Sequence, residues 1–180
     1  MINFETLNPL VREFFHLPVS VHRGILKTCQ NYLPAATANL FLAHCAEELL
    51  CFCHFYPEWI AVRGQSAFAV IGYDCDKGSF AALIRTFPNA KIYTMFGNDL
   101  AGRVWDSKLS LWQIGLDAGF RISGEHLKVS FMEKEMSFSV ASFTLNRFFK
   151  TIGKFQTTPA LKPRGGYRNF AEKFRAGCAV

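Results

Sequence analysis

Residues 67–103 read AFAVIGYDCDKGSFAALIRTFPNAKIYTMFGNDLAGR, and this stretch decides the fold. Residues 67–73 and 91–96 are short, nearly continuous apolar runs, the pattern of strands buried on both faces of a parallel sheet. Between them, residues 79–87 repeat apolar side chains at the i, i+3, i+4, i+7 spacing of an amphipathic helix. This strand–helix–strand order predicts a right-handed βαβ unit and an α/β fold.

The same alternation extends in both directions along the chain. Residues 49–55 form another apolar run, predicted as a third buried strand. Residues 100–118 show a helical pattern, with Gly119 as its expected C-terminal stop. Residues 127–131 and 136–140 predict a β-hairpin added at an edge of the sheet, and a helix follows over 142–152.

The front of the chain reads as helical, with predicted helices over residues 10–15, 21–32 and 35–48. At the other end, residues 157–166 predict an exposed loop, followed by a last short helix near residues 170–174. We therefore expect one domain in three parts: a helical segment (1–48) packed on the core, an α/β core with the hairpin (49–156), and a basic C-terminal tail (157–180).

The composition fits a single cytoplasmic domain. The chain has 180 residues, of which 50% are hydrophobic, enough for a sizeable core. Its longest apolar stretch, residues 32–55, is interrupted by His44, Glu47 and Glu48, so we expect no membrane span. The start lacks the pattern of a secretory signal, and the six cysteines are then expected to be reduced thiols.

Positive charge is concentrated at the C-terminal end. The formal net charge is +6, and from Arg147 onward eight basic residues stand against one acid, Glu172. Such a segment favours anionic partners, nucleic acid first and an acidic membrane surface or protein second, through counterion release and long-range attraction. A solvated face that keeps a hydrophobic protein in solution is the alternative.

Ligand-binding groups in an open parallel sheet gather beyond the carboxyl ends of the strands. There, after the run at residues 91–96, the chain reads Gly97-Asn98-Asp99-Leu100-Ala101-Gly102-Arg103. This motif resembles the toprim fold of bacterial primases, topoisomerases and primase-like proteins of mobile elements, in which a strand ends in Asp-x-Asp, commonly followed by x-Ala-Gly-Arg and a helix. The likeness covers roughly residues 48–122 and implies a toprim-like, mostly parallel central sheet with flanking helices.

The resemblance also implies a catalytic site, in which the Asp pair holds Mg²⁺ and a glutamate acts as general acid or base. Asp99 matches the second Asp of the pair, but the first falls on Gly97. The strand expected to end in the glutamate ends near residues 54–58, so Glu58 is the candidate. Because a hard cation depends on carboxylate oxygens, this incomplete set predicts a degenerate site and favours a non-enzymatic protein.

Two interpretations of the acidic residues remain open. Asp74 and Asp76 follow the neighbouring predicted strand and, with Asp99, would form a metal site near Glu58. Turn formation and helix capping are the competing roles for aspartates at strand ends. A zinc site among His44, Cys45, Cys51, Cys53 and His54 is disfavoured, since the spacing lacks paired Cys-x2-Cys knuckles.

The candidate phosphate-binding residues are basic or aromatic. Arg103 begins a helix beside Gly102, where amide groups and a guanidinium would receive a phosphate. In the tail, cations interleave with a ring that would stack on a base: Lys162, Arg164, Tyr167 and Arg168.

The leading hypothesis is therefore a degenerate toprim-like protein that binds DNA or assists DNA processing on a mobile element. The alternatives are an active Mg²⁺-dependent phosphotransfer or nuclease enzyme that uses Asp99, and an interaction module whose basic tail docks on an acidic protein.

Overall fold

The computed structural model describes residues 2–17, 24–27, 33–61, 65–156 and 158–177. Short 3₁₀ turns lie at Phe4–Thr6 and Pro34–Ala36. In chain order, the helices and strands of the described residues are α1 (Pro9–Phe15), β1 (Gly24–Lys27), β2 (Asn39–Ala43), α2 (Ala46–Phe55), α3 (Glu58–Ala61), β3 (Ser66–Val70), α4 (Lys77–Thr86), β4 (Lys91–Thr94), α5 (Leu100–Gln113), β5 (Gly119–Ser123), β6 (His126–Phe131), β7 (Lys134–Ser139), α6 (Leu145–Thr151) and α7 (Phe170–Gly177).

The main sheet has the strand order β1-β3-β2-β4, with β2 parallel to both of its neighbours and β1 antiparallel to β3. Side chains alternate between its faces, as they must in a strand. Phe41 packs in a cluster that includes residues of α1, α2 and α7, whereas Leu40 and Leu42 pack with residues of α4 and α5. Both faces of the sheet are thus covered, and the predicted α/β class with a mostly parallel sheet is confirmed.

The central strand and the helix after it correct two predictions. Residues 39–43 form β2 where we expected a helix over 35–48, and residues 46–55 form α2 where we expected a strand over 49–55. Leu49 to Cys53 are all buried, so this helix is apolar on every side and its sequence lacks the usual amphipathic period. A short, wholly apolar run is compatible with either a buried strand or a buried helix.

The helix predicted over residues 21–32 is also wrong where the structure describes it. Gly24–Lys27 forms β1, which pairs antiparallel with β3. The remainder of that prediction lies outside the described residues. Pairing with a buried strand overrides the weak helical preference of this short segment.

The predicted hairpin strands pair with each other as β6 and β7, but they do not extend the main sheet. They form a separate antiparallel sheet with β5, in the order β5-β6-β7. Gly119 opens β5 instead of ending a helix, because α5 already stops at Gln113 and Gly115 takes the left-handed conformation, with φ +78°. This sheet buries Val129 and Phe138 against α6 in a core cluster of its own.

Residues 158–163 of the C-terminal segment pack against the core, which corrects the first part of the exposed loop expected over residues 157–166. Residues 164–166 are exposed as expected, and residue 157 lies outside the described residues. The Thr94 N–H donates to the Pro159 carbonyl at 3.0 Å, and the Leu161 N–H donates to the Thr94 carbonyl at 2.8 Å, beside β4. Further along, α7 buries Phe170 and Phe174 in the cluster that also contains α2. None of the helices in the described ranges has the length and apolar character needed to cross a lipid bilayer.

Candidate functional site

The parallel strands β3, β2 and β4 deliver their carboxyl ends to one rim of the sheet. Their next residues are Ile71, His44 and Met95, respectively. The rim expected from the strand pattern therefore exists, but its central member is His44. Phe55, which we expected there, ends helix α2 instead.

A pocket of about 220 Å³ opens at this rim. It lies where the first turns of α2 and α5 approach the C-terminal segment. Its lining comes from the ends of β2 and β4, the loop after β3, and helix α7: His44, Cys45, Glu47, Glu48, Tyr73, Met95, Phe96, Gly97, Asp99, Ala101, Gly102, Asn169, Ala171 and Arg175.

His44 is the most unusual group of the pocket. Only 7% of the residue is exposed, and its imidazole is stacked between Tyr73 and Phe96 at ring-centre distances of 4.3 and 4.2 Å. Burial lowers the pKa of His44 to about 4, although its bond to Gly72 and the charge of Asp99 act in the other direction. The ring is therefore neutral at neutral pH.

The hydrogen bonding of His44 fixes its tautomer and leaves one nitrogen unsatisfied. Nδ1 lies 2.8 Å from the Gly72 carbonyl, which only accepts, so Nδ1 carries the proton. Nε2 then presents a lone pair, and it is buried without a hydrogen-bond partner among the described residues. An unsatisfied buried acceptor costs roughly 1–3 kcal/mol, so this atom needs an explanation.

Asp99 caps helix α5 at the edge of the pocket. Its Oδ1 accepts from the Gly102 N–H at 2.8 Å, which is the helix-capping role that we weighed against metal binding. Gly102 is required in the first turn of α5, because a Cβ at this position would overlap the backbone of Gly97. The Asp99-to-Arg103 motif thus has a structural reason of its own: it seats the helix directly against the end of β4.

Glu48 joins the pocket to the C-terminal helix. Its carboxylate accepts from the backbone N–H groups of Phe170, at 3.0 Å, and Ala171, at 3.4 Å, at the start of α7. Burial raises the pKa of Glu48 to about 7, and these two hydrogen bonds offset only part of that effect. Beside it, Glu47 pairs with Arg175 at 3.4 Å.

Cys45 is a poor candidate for a nucleophile, although it precedes the first turn of α2. Burial raises the pKa of its thiol, and the nearby Glu48 and Glu47 carboxylates add to the rise. Cys45, Cys51 and Cys53 are free thiols.

The fold does not assemble the predicted metal site from Asp74, Asp76 and Asp99. In the part of the chain that the structure describes, no group of three or more His, Cys, Asp or Glu side chains is arranged to hold a metal ion. Asp76 caps α4 instead, accepting from the N–H and the hydroxyl of Ser79 at 2.8 Å each. Glu58, the other catalytic candidate, lies in the first turn of α3 and does not line the pocket.

Two of the predicted phosphate-binding cations have structural roles. Lys162 Nζ donates to the Asp106 carboxylate at 2.6 Å and to the carbonyls of Phe96 and Gly97 at 2.9 and 3.0 Å. Burial raises the pKa of Asp106, and the Lys162 charge opposes that rise. Arg103 donates to the Phe143 carbonyl at 2.8 Å and to the Asp99 carbonyl at 3.2 Å.

The remaining candidates lie beside the rim. Arg164 and Arg168 are exposed, Tyr167 is half-buried, and Arg168 makes a 3.6 Å ion pair with Glu172. The Asn98 N–H donates to the Arg168 carbonyl, which anchors this part of the tail next to the start of α5. The backbone of Arg168 is therefore held close to the pocket, although Arg164, Tyr167 and Arg168 do not line it.

The sequence analysis missed His44, Glu48 and Asp106 as site residues. A usable signal for the start of a helix was the acidic pair Glu47 and Glu48 directly after His44-Cys45, because paired acids are typical of a first helical turn. That signal would have placed the strand end at His44. Comparison of the chain with protein-family models, curated protein sequences and solved structures gives no significant match.

Proposed function

We propose that this chain is a toprim-like, nucleic-acid-associated protein without a working catalytic metal site, which assists DNA processing or a mobile-element function. The proposal rests on one arrangement: three parallel strands end at a common rim, and helix α5 starts at that rim with the motif Asp99-Leu100-Ala101-Gly102-Arg103. The resemblance to the toprim fold implies carboxylates at two strand ends of this rim. Here those ends carry Gly97 and His44.

The proposed nucleic-acid contact is the exposed part of the tail. Once Lys162 and Arg103 are assigned to structural bonds, Arg164 and Arg168 are the candidate cations for a phosphate backbone, because both side chains are exposed. Arg168 would exchange its 3.6 Å ion pair with Glu172 for the phosphate. Tyr167, between the two arginines in sequence, is the candidate for stacking on a base of single-stranded DNA. As part of the same proposal, the protein acts in the cytoplasm, where reduced thiols are the rule.

An active Mg²⁺-dependent enzyme is not proposed, because the carboxylates expected to bind the ion are used in other ways. Asp99 and Asp76 cap helices, and Glu58 lies away from the pocket. The interaction-module hypothesis remains as the outcome to expect if nucleic acid does not bind.

Binding of fluorescent single-stranded and duplex DNA across a salt series tests the proposal. We expect the double variant Arg164→Ala/Arg168→Ala to bind more weakly, with a salt slope reduced by roughly 1.4–1.8 for two lost phosphate contacts. The matched control, Lys128→Ala/Lys134→Ala, removes two exposed cations from the second sheet. Equal affinity of both variants and the unmodified protein would count against the tail as a nucleic-acid contact.

A further inference from the structure

The rim pocket contains an acceptor that lacks a donor. His44 is more than nine-tenths buried, it lines the pocket, and its Nε2 has no hydrogen-bond partner among the described residues. Because the neutral ring already donates through Nδ1 to the Gly72 carbonyl, Nε2 can only accept. A ligand that satisfies this atom must therefore bring an N–H or O–H group.

The charges around the pocket select against an anion. Helix N-termini attract anions, and those of α2 and α5 both reach the pocket. However, the Asp99 carboxylate already caps α5, and Glu47 and Glu48 occupy the first turn of α2. Arg175 is the one cation of the described lining, and it is paired with Glu47. Glu48 is partly protonated at neutral pH, because its pKa is raised to about 7, but Asp99 has no cation of its own in the described lining. The Asp99 carboxylate would therefore repel a phosphate and attract an ammonium group.

One of the two ring neighbours of His44 is largely exposed. Phe96 is buried, whereas Tyr73, which covers the other face of the imidazole, is 72% exposed. The pocket volume of about 220 Å³ corresponds to roughly seven water molecules in the liquid, which matches a compact ligand.

We propose that the rim pocket binds a small ligand with a primary ammonium group, which donates a hydrogen bond to His44 Nε2 and is attracted by the Asp99 carboxylate. This inference does not depend on the proposed DNA binding. It assigns a different part of the rim, formed by His44 and Asp99, to a different class of ligand.

The test follows the imidazole nitrogens by NMR in the full-length protein labelled with ¹⁵N-histidine, with ethanolamine as the probe. We expect a saturable shift of the His44 Nε2 resonance, which starts in the range of an unprotonated nitrogen. The Nδ1 resonance of His44 and the resonances of the exposed His126 stay in place, which makes His126 an internal control. Ethylene glycol, inorganic phosphate and Zn²⁺ are titrated in parallel as a neutral donor, an anion and a metal ion.

Two variants keep the test decisive. In Asp99→Asn the amide oxygen still caps α5, so the protein remains folded while the attracting charge is lost, and we expect weaker binding of ethanolamine by about tenfold. In Tyr73→Ala the exposed ring that covers one face of the imidazole is removed, and we expect tighter binding. The inference is overturned by the absence of any saturable shift up to tens of millimolar ethanolamine, by an equal response to ethylene glycol, by a stronger response to phosphate, or by coordination of Zn²⁺ at His44.

Discussion

His44 and Glu48 oppose each other in the pH dependence of stability, and this opposition can be measured. The pKa of Glu48 is raised from 4.5 to about 7 by burial. Its proton is therefore bound more tightly in the folded state. The stability that Glu48 contributes is fully present below pH 4.5 and is lost as the pH rises through about 7.

His44 has the opposite sign, because burial lowers its pKa from 6.5 to about 4. Its contribution is present above pH 6.5 and is lost as the pH falls through about 4. On acidification from about pH 8 to about pH 5, Glu48 adds roughly 2–3 kcal/mol to the free energy of unfolding and His44 removes about 2 kcal/mol. The two contributions have opposite signs and similar sizes, so they largely cancel each other in the unmodified protein.

Single variants should reveal the contribution of each residue separately. Glu48→Gln keeps an acceptor for the N–H groups of α7 but cannot titrate, so its free energy of unfolding should fall by about 2 kcal/mol on acidification over that range. His44→Asn keeps a donor for the Gly72 carbonyl, and its free energy of unfolding should rise by roughly 2–3 kcal/mol over the same range. The pH dependence of the double variant should lie close to that of the unmodified protein.

The assay is urea unfolding at a series of pH values, and the quantity compared is the change with pH within each protein. Any constant loss from repacking around the new side chain then cancels. Asp106, whose pKa is also raised, is common to all four proteins, so its contribution cancels when the pH dependence of one protein is subtracted from that of another. If the Glu48→Gln and His44→Asn curves run parallel to that of the unmodified protein, the two buried groups do not titrate as described and the reasoning is refuted.

Three further predictions concern the residues that build the rim. Gly102→Ala should lower the free energy of unfolding by about 3 kcal/mol, because its Cβ would overlap the Gly97 backbone and push α5 away from β4. Lys162→Met should lower it by roughly 3–5 kcal/mol, because Asp106 would remain buried without its cation, and the loss should be larger at high pH, where Asp106 is ionised. Phe174→Ala should lower it by roughly 3–5 kcal/mol, because the ring is buried between α7 and the main core.

Urea unfolding measures all three, and each has a matched control. Gly177→Ala changes a helical glycine that has open space around it, and it should leave stability almost unchanged. Lys154→Met removes an exposed cation from the loop after α6, and it should also leave stability almost unchanged. Phe155→Ala is the control for Phe174→Ala, because it truncates a ring that is 91% exposed, and it should leave stability almost unchanged. If both variants lower the free energy of unfolding equally, the assignment of α7 to the core is contradicted.

Local patterns determined the α/β class and the unit from β3 to α5. The apolar run at residues 67–73 covers all but the first residue of β3, and the run at 91–96 contains β4. The helical period at residues 79–87 falls largely within α4. These predictions hold because each strand is bounded by turn residues and the helix between them exposes one polar face. Where the signal has a clear period and clear ends, local physics suffices.

Tertiary structure decided the central strand, the second sheet and the roles of the charged residues. Whether residues 40–43 and 49–53 become strand or helix depends on which neighbours bury them, since both runs are apolar throughout. Lys162 lies 56 positions from Asp106 in the sequence, so no local pattern could predict that a tail lysine neutralises a buried carboxylate. The same holds for His44: its chemistry comes from the rings of Tyr73 and Phe96 that enclose it and from the missing partner of Nε2, and folding alone brings these together.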